Sequence, residues 1–169
     1  MKSAGKPFGV GIIGCGLIGQ KRAKALGSAG KLVACADIEE GVALRRGGIR
    51  VPILVFGALS VSDLDGVFDY QLTPTVSTPA AARALAAAAT ARGVTLECHL
   101  KIDTGMNRLG FRHDNLRRTM PEVLASAHVR CTAVYSHAAT ADDPESPWLD
   151  EQRAAFDRAV AELGALGLR

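Results

Sequence analysis

Several features that mark whole classes of protein are scarce in this chain of 169 residues. Aromatic residues make up 5% of the sequence, and 20 Lys and Arg stand against 17 Asp and Glu, which leaves a formal net charge of +3. Because the sequence has no basic stripe with interleaved aromatic side chains, we expect no nucleic-acid partner. It also has no apolar run long enough to cross a membrane, and residues 1–8 lack the apolar segment of a signal peptide. We therefore expect a cytoplasmic protein with no membrane partner.

Cysteine is sparse too, and its spacing excludes the common metal-binding patterns. Cys15, Cys35, Cys98 and Cys131 are far apart in the sequence, and none belongs to a CxxC pair. We interpret them as small buried side chains in a reducing compartment. No cluster of His, Cys, Asp or Glu has the spacing of a ligand set, so we expect no metal site.

What the chain does contain is an alternation of apolar strands and helices. Hydrophobic residues are 48% and charged residues 22%, values typical of a folded domain. Strands are predicted at residues 8–13, 31–36, 51–56, 70–76, 94–103 and 129–136. Helices are predicted at residues 20–27, 39–46, 78–92, 114–127 (bent or restarted near Pro121) and 147–163, with a short turn of helix at 62–66. This order predicts an α/β protein of about six strand–helix units with a parallel sheet or barrel.

The first of two motifs is a glycine-rich turn between the first strand and the first helix. Gly14, Gly16 and Gly19 have the GxGxxG spacing, and Asp37 stands at the end of the next strand. In a dinucleotide site such glycines allow a tight turn, close approach of a pyrophosphate and close helix–strand packing, while the acidic side chain bonds a ribose hydroxyl. These four residues are therefore candidates for binding NAD(P) or a simple phosphate.

Residues 6–38 around this motif resemble the amino terminus of the glucose–fructose oxidoreductase-type family of NAD(P)-dependent dehydrogenases. The resemblance implies that residues 1–38 form a Rossmann-like βαβ unit. It also makes an NAD(P)- or phosphate-binding module of an oxidoreductase-like protein the alternative function. The Glu-Lys-Pro motif that carries the family's catalytic lysine is absent from this sequence.

The second motif is a series of strings in the rest of the chain. They read EEGVALRR at 39–46, PILVFG at 52–57, TVS at 75–77, KIDTGMNRLGF at 101–111 and YSHAATAD at 135–142. In this order and spacing they resemble the barrel domain of alanine racemases, which interconvert L- and D-alanine with pyridoxal 5'-phosphate. The resemblance implies that residues 39–169 form the first part of such a barrel, with alanine and pyridoxal phosphate as its ligands.

Three residue roles follow from this resemblance. Arg108 matches the arginine that bonds the phenolic oxygen of pyridoxal phosphate. Lys101 matches the lysine, sometimes carbamylated, that orients that arginine, and His137 matches the histidine beside the pyridine ring. Asp103 is expected either to bond Arg108 or to orient the backbone around it.

The sequence departs from the racemase pattern at the catalytic bases. The lysine that forms the Schiff base should lie in the first strand, where this chain has Val10, Gly11 and Ile12. The second base of the family, a tyrosine, belongs to a separate β-domain that we do not find. We therefore assign no catalytic residue and expect an inactive form of an alanine racemase, truncated or chimeric.

These observations predict an incomplete (β/α) TIM-type barrel with a Rossmann-like first unit. Its strands should form one curved parallel sheet in sequence order, with helices outside. The glycine-rich turn, Lys101, Arg108 and His137 would then meet at the carboxyl ends of the strands, where barrel sites lie. Since the chain ends after a helix, where a strand should follow, we expect open sheet edges and homo-oligomers formed through them.

Overall fold

The computed structural model describes residues 8–11, 30–143 and 145–168. The chain divides into two compact units, Met1–Pro74 and Thr75–Arg169. This division concerns packing, whereas the predicted boundary between residues 38 and 39 concerns the likeness to two families, and that boundary stays a prediction.

The first unit contains parallel strands that pair in chain order. Strand β1 (Phe8–Gly11) pairs with β2 (Gly30–Cys35), β2 with β3 (Leu54–Val55), and β3 with the first residues of β4 (Thr73–Val76). Helix α1 (Ile38–Arg46) follows β2, and the short helix α2 (Asp65–Asp69) follows β3. Apolar side chains such as Leu44, Ile53 and Val67 are almost completely buried and form the core of this unit.

The second unit is built around strand β5 (Leu96–Asp103). The last residues of β4 pair with β5, which also pairs with β6 (Phe111–Arg112) and β7 (Val129–Tyr135), and all these pairings are parallel. The β5–β7 register begins with Leu96 opposite Val129 and ends with Lys101 opposite Tyr135. Helices α3 (Pro79–Arg92), α4 (Leu116–Leu124) and α5 (Pro147–Ala165) follow β4, β6 and β7 along the chain.

Helix α3 shows how local sequence signals set its ends. The Thr78 hydroxyl accepts a hydrogen bond from the Ala81 amide at 3.1 Å, and Pro79 stands in the first turn, where its missing N–H has no cost. At the other end Gly93 closes the helix with a φ of 63°, a left-handed conformation that glycine adopts without strain. The predicted helix at 78–92 is therefore confirmed almost to the residue.

The predicted α/β class and the parallel pairing in chain order are confirmed. The six predicted strands correspond to β1 to β5 and β7, with ends that differ by a few residues, whereas the two-residue strand β6 was not predicted. The predicted helix at 20–27 lies outside the described residues. None of the helices in the described part of the chain has the length and apolar character needed to span a membrane.

Three helices differ in detail from the prediction. Helix α2 runs from Asp65 to Asp69, whereas the short turn of helix was predicted at residues 62–66. Helix α4 runs through Pro121 and does not restart there. In α5 the apolar side chain of Val160 is 44% exposed. The buried positions of this helix are Gln152, Ala155, Ala159 and Leu163. A polar residue therefore occupies a core position, because its amide has partners in the loop described below.

Candidate functional site at the ends of strands β5 and β7

Lys101 lies near the carboxyl end of β5 and is only 4% exposed. Its register partner on β7 is Tyr135, and its Nζ lies 5.6 Å from the centroid of the Tyr135 ring, within cation–π range. Burial of an ammonium group is costly, and the face of an aromatic ring offsets part of that cost. The strand pairing thus holds a cation in a largely dry position.

Tyr135 is itself fixed by two neighbours. Its hydroxyl is hydrogen-bonded to the hydroxyl of the fully buried Thr75 at 2.8 Å. The His99 ring meets it edge to face, with centroids 6.4 Å apart and an interplanar angle of 70°. Burial raises the pKa of Tyr135, and the hydrogen bond with Thr75 opposes that shift. Tyr135 is therefore a neutral phenol that links β4, β5 and β7 beneath Lys101.

The loop after β5 is folded around Asp103. One carboxylate oxygen of Asp103 accepts hydrogen bonds from the amides of Gly105 and Asn107, each at 3.0 Å. Of the two roles expected for Asp103, the structure shows the orientation of backbone. Asn107 is held at a φ of 54° and its side chain donates to the carbonyl oxygen of Gly105 at 3.1 Å. Arg108 follows directly and is exposed on this loop.

Arg108 lies close enough to Lys101 and His137 to lower the pKa of both. Burial lowers the pKa of Lys101, the positive charge of Arg108 lowers it further, and Asp103 opposes the shift. Burial also lowers the pKa of His137, with further contributions from Arg108 and Lys101. We call these three residues the cation cluster. The summed charge of these side chains creates a positive potential that an anionic ligand would neutralise.

Gln152 of helix α5 fixes the loop that carries His137. Its side-chain amide donates to the carbonyl oxygen of His137 at 3.2 Å and to the Thr104 hydroxyl at 3.3 Å, and its oxygen accepts from the Ala139 amide at 2.7 Å. Thr104 is in turn hydrogen-bonded to the Ser136 hydroxyl at 2.7 Å. One buried amide therefore ties the ends of both β5 and β7 to the same helix.

The structure brings together part of the predicted site. Lys101 and His137 lie at the carboxyl ends of two neighbouring strands, as predicted, and Arg108 lies within electrostatic reach of both. Their role toward a cofactor stays a prediction at this point. Gly14, Gly16 and Gly19 lie outside the described residues, so their predicted place beside this cluster also stays a prediction.

Asp37, the fourth residue of the predicted dinucleotide site, is the N-cap of helix α1. Its carboxylate accepts a hydrogen bond from the Glu40 amide at 2.7 Å. The Glu40 side chain in turn accepts one from the Ala36 amide at 2.9 Å. These two bonds satisfy amide groups that the helix leaves unpaired, a structural task that Asp37 performs without a ligand.

Sequence reasoning missed the residues that support the cluster, namely Thr75, Thr104, Tyr135, Ser136 and Gln152. Gln152 had a usable signal, since it follows Leu149 by three residues and precedes Phe156 by four, and so stands on the apolar stripe of its helix. Tyr135 had a weaker one, because it ends an apolar strand. Thr75 and Thr104 had none, since their partners are distant in sequence.

A parallel α/β unit whose candidate site lies at the carboxyl ends of its strands has the arrangement of barrel-type domains, whose sites lie at that end. The comparison with family models narrows this class. The model described as "Alanine racemase, N-terminal domain" matches residues 14–169. The chain therefore belongs to the alanine racemase family.

Individual relatives agree with this assignment. The chain is 37% identical over 134 residues to the alanine racemase of Symbiobacterium thermophilum, covering 79% of this chain and 36% of that protein. It is 34% identical over 140 residues to the alanine racemase of Synechocystis, covering 82% of this chain and 38% of that protein. The chain thus spans well under half the length of these relatives.

Solved structures show the same fold. The alanine racemase of a D-cycloserine-producing Streptomyces lavendulae matches with a TM-score of 0.82 and 25% identity, covering 97% of this chain and 44% of that one. A histidine racemase from Leuconostoc mesenteroides matches with a TM-score of 0.78 and 26% identity, covering 91% and 42%. The fold therefore occurs in racemases named for different amino acids.

The comparisons decide between the two cofactors considered from the sequence. Alanine racemases are pyridoxal-phosphate-dependent, and the matched region begins at residue 14, inside the glycine-rich turn. The NAD(P) alternative receives no support from any of these relatives. The likeness of residues 6–38 to dehydrogenases is likewise not confirmed.

Proposed function

We propose that this chain forms the part of an amino-acid racemase that holds the ring of pyridoxal phosphate, and that the whole protein acts on alanine. Lys101, Arg108 and His137 would make the contacts. The cofactor, when bound, supplies an electron-accepting ring that stabilises negative charge on the α-carbon of an amino acid. The chain's own residues bind and orient that ring.

The single observation that supports this proposal is the convergence of the cation cluster. The pKa values of Lys101 and His137 are both lowered, in part by Arg108. Like charges brought together at a strand end cost stability unless an anion offsets them. Pyridoxal phosphate carries an ionised phenolic oxygen as well as a phosphate, so its chemistry fits this group of donors.

The three residues would contribute in different ways. Arg108, exposed on the loop that Asp103 shapes, is placed to donate hydrogen bonds to an oxygen anion. Lys101 is buried near Arg108 and adds positive charge to the site. His137 is exposed, but its backbone is fixed by Gln152, which restricts where its ring can lie.

The sequence of strand β1 determines whether the cofactor can be attached covalently. It reads FGVG at Phe8–Gly11 and contains no lysine. An amine at this strand would be needed to attach the cofactor covalently in the manner of the family. We therefore propose that this chain binds pyridoxal phosphate reversibly and does not racemise alanine by itself.

The proposal can be tested by titrating His137 in solution. The four histidine rings are followed by NMR against pH, alone and with pyridoxine phosphate, an analogue that lacks the aldehyde and cannot react with amines. We expect saturable binding and an increase in the pKa of His137, because the anion replaces repulsion with attraction. His113, outside the cluster, should not respond.

A pair of variants distinguishes binding by the cation cluster from a general effect of positive charge on the protein surface. Arg108→Ala should weaken binding of the analogue by about tenfold, the effect of losing one charge-assisted hydrogen bond. Arg83→Ala removes an exposed arginine that pairs with Glu122 on the helices, and should leave binding unchanged. Equal affinities for the two variants would refute the assignment of Arg108.

A further inference from the structure

Two cysteines of the second unit face each other across neighbouring strands. Cys98 of β5 and Cys131 of β7 are register partners in the parallel ladder, and both are free thiols. Neighbouring strands lie about 4.8 Å apart, within the range of about 4.4–6.8 Å between Cα atoms that disulfides bridge. The two thiols interact, since each alters the pKa of the other, and the Cys131 thiol donates to the carbonyl oxygen of Ala133 at 3.3 Å.

The pair lines a cavity that a small reagent can enter. The cavity has a volume of about 360 Å³ and is lined by both cysteines together with Val123, Leu124, Arg130 and Leu168. Cys98 is 1% exposed, whereas Cys131 is half-buried. A reagent in the cavity therefore reaches Cys131 more readily than Cys98.

The two thiols differ in acidity as well as in access. The hydrogen bond from Cys98 lowers the pKa of Cys131 to about 7, backbone hydrogen bonds at Leu100 and Ala133 contribute, and burial opposes the shift. The same side-chain hydrogen bond, followed by burial, raises the pKa of Cys98. Cys131 is therefore the more readily ionised thiol of the pair.

We propose that Cys98 and Cys131 form a peroxide-sensitive dithiol, with Cys131 as the nucleophile and Cys98 as the resolving thiol. The Cys131 thiol releases its proton and the thiolate attacks one oxygen of hydrogen peroxide, so that an S–O bond forms and the O–O bond breaks. The departing hydroxide takes up the released proton and becomes water. The Cys98 thiol then gives up its proton and its sulfur attacks Sγ of Cys131. An S–S bond forms, the S–O bond breaks and water leaves, so that one peroxide oxidises two thiols and yields two waters.

This inference departs from the interpretation of the cysteines drawn from the sequence. That interpretation treated all four as inert buried residues, because a CxxC pair is absent. The pairing depends on the register of two strands whose cysteines are more than thirty positions apart, which sequence spacing does not reveal. Cys35 is an internal contrast, since it is fully buried and its register partner on β3 is Val55, not a cysteine.

The test is a mapped oxidation of the intact 169-residue chain. The folded protein is treated with equimolar hydrogen peroxide, remaining thiols are alkylated, and the unreduced chain is digested with trypsin. The four cysteines fall in separate tryptic peptides, so each linkage has a distinct mass. We expect the peptide 93–101 joined to 131–153 as the dominant product, released by a reducing agent.

Two variants assign the roles of the thiols. Cys98→Ser should abolish this linkage and leave Cys131 as a sulfenic acid that dimedone traps. Cys35→Ser, the matched control, should leave the yield of the linkage unchanged. A statistical mixture of linkages among all four cysteines, or a product confined to Cys15 and Cys35, would overturn the proposal. So would dimedone labelling of Cys131 in the unsubstituted chain equal to that in Cys98→Ser.

Discussion

Lys101 is a residue whose charge and position conflict. It is 4% exposed, and the positive charge of Arg108 adds repulsion to the cost of burial. Both effects favour the neutral amine in the folded chain, and the ring of Tyr135 compensates only in part. A ligand-free chain is therefore destabilised at this position, and an anion bound there would relieve the cost.

This conflict predicts a pH dependence of stability. The pKa of Lys101 is lowered from 10.5 by folding, so the unfolded chain binds more protons between the folded-state value and 10.5. Stability contributed by this group therefore rises with pH across that window, and the cost is fully present below it. We expect Lys101→Met to be more stable than the unsubstituted chain near neutral pH, with a difference that shrinks as pH approaches 10.5. Urea denaturation at several pH values measures this difference, and Arg83→Met, which removes an exposed arginine outside the cluster, should show no such trend.

Gln152 allows a sharper prediction at a single residue. Gln152→Leu keeps the side-chain volume but leaves the Ala139 amide and the His137 carbonyl without their partner. Each of these part-buried hydrogen bonds contributes about 1 kcal/mol, so we expect a loss of about 2 kcal/mol in the free energy of unfolding. Glu151→Leu, at the exposed neighbouring position, should change it by less than about 0.5 kcal/mol. Equal losses of unfolding free energy for Gln152→Leu and Glu151→Leu would show that the hydrogen bonds of Gln152 have no special role.

At the scale of elements, the connection from β5 to β6 is the most constrained segment around the site. Gly110 has a φ of 132°, and a Cβ placed there would lie 2.7 Å from the amide nitrogen of Asp103. The close approach lets Phe111 and Arg112 pair with Ile102 and Asp103, so that the loop bearing Arg108 is closed at both ends. Glycine at this position therefore serves the shape of the loop.

Substitution of Gly110 should be costly for that reason. Gly110→Ala combines a left-handed φ with a backbone clash that cannot relax without moving β6, and we expect a loss of at least about 2 kcal/mol in the free energy of unfolding. Gly164→Ala is the matched control, because this glycine lies in helix α5 and a Cβ there would meet nothing within 4 Å. It should stabilise the chain by up to about 1 kcal/mol. Thermal or urea unfolding of both variants compares them, and a tolerated Gly110→Ala would contradict this account of the loop.

Elements differ in how far their sequence predicts them. Helix α3 was predicted closely because its capping signals, Thr78 and Pro79, are local. Strand β6 was not, since a strand of two residues has no periodicity and exists only because Gly110 brings it against β5. Helix α5 was predicted close to its observed extent, but its buried face was not, because that face contains the polar residue Gln152.

The candidate site shows the same limit. Lys101, Arg108 and His137 could be named because they stand within strings that resemble a known family. The residues that hold them could not, since Thr75 meets Tyr135 across 60 positions and Thr104 meets Gln152 across 48. Such pairings follow from strand register and helix docking, which a single sequence does not specify.

At the scale of the whole molecule, the chain belongs to the alanine racemase family but lacks a lysine in the described part of its first strand. The chain matches alanine racemases over most of its own length but spans 36% of the first relative described. In the first strand, residues 8–11 read FGVG and offer no amine. The contacts proposed between the cation cluster and an anionic ring would not replace a lysine that bonds the cofactor covalently.

We therefore expect no specific covalent adduct with pyridoxal phosphate. After incubation and borohydride reduction, peptide mapping should show only low, scattered modification of lysines, and a racemase assay with L-alanine should give no D-alanine. Lys101 is the informative position, because it is the only lysine after residue 31 and its lowered pKa favours a reactive amine. A stoichiometric adduct at one lysine, whether Lys101 or Lys21, would contradict the expectation and assign the chain a covalent site.

We expect the chain to associate with other copies through one edge of strand β7. Strand β7 pairs with β5 on one side, and among the described residues no strand pairs with its other side. Unpaired amides and carbonyls along such an edge favour pairing with another chain. We expect sedimentation velocity to show dimers or larger species whose proportion rises with protein concentration. Thr132→Lys places a charge at an exposed position of β7 and should shift the chain toward monomer, whereas Thr90→Lys, the same change at an exposed position of helix α3, should not. A monodisperse monomer at every concentration, or an equal effect of the two substitutions, would show that association does not use this edge.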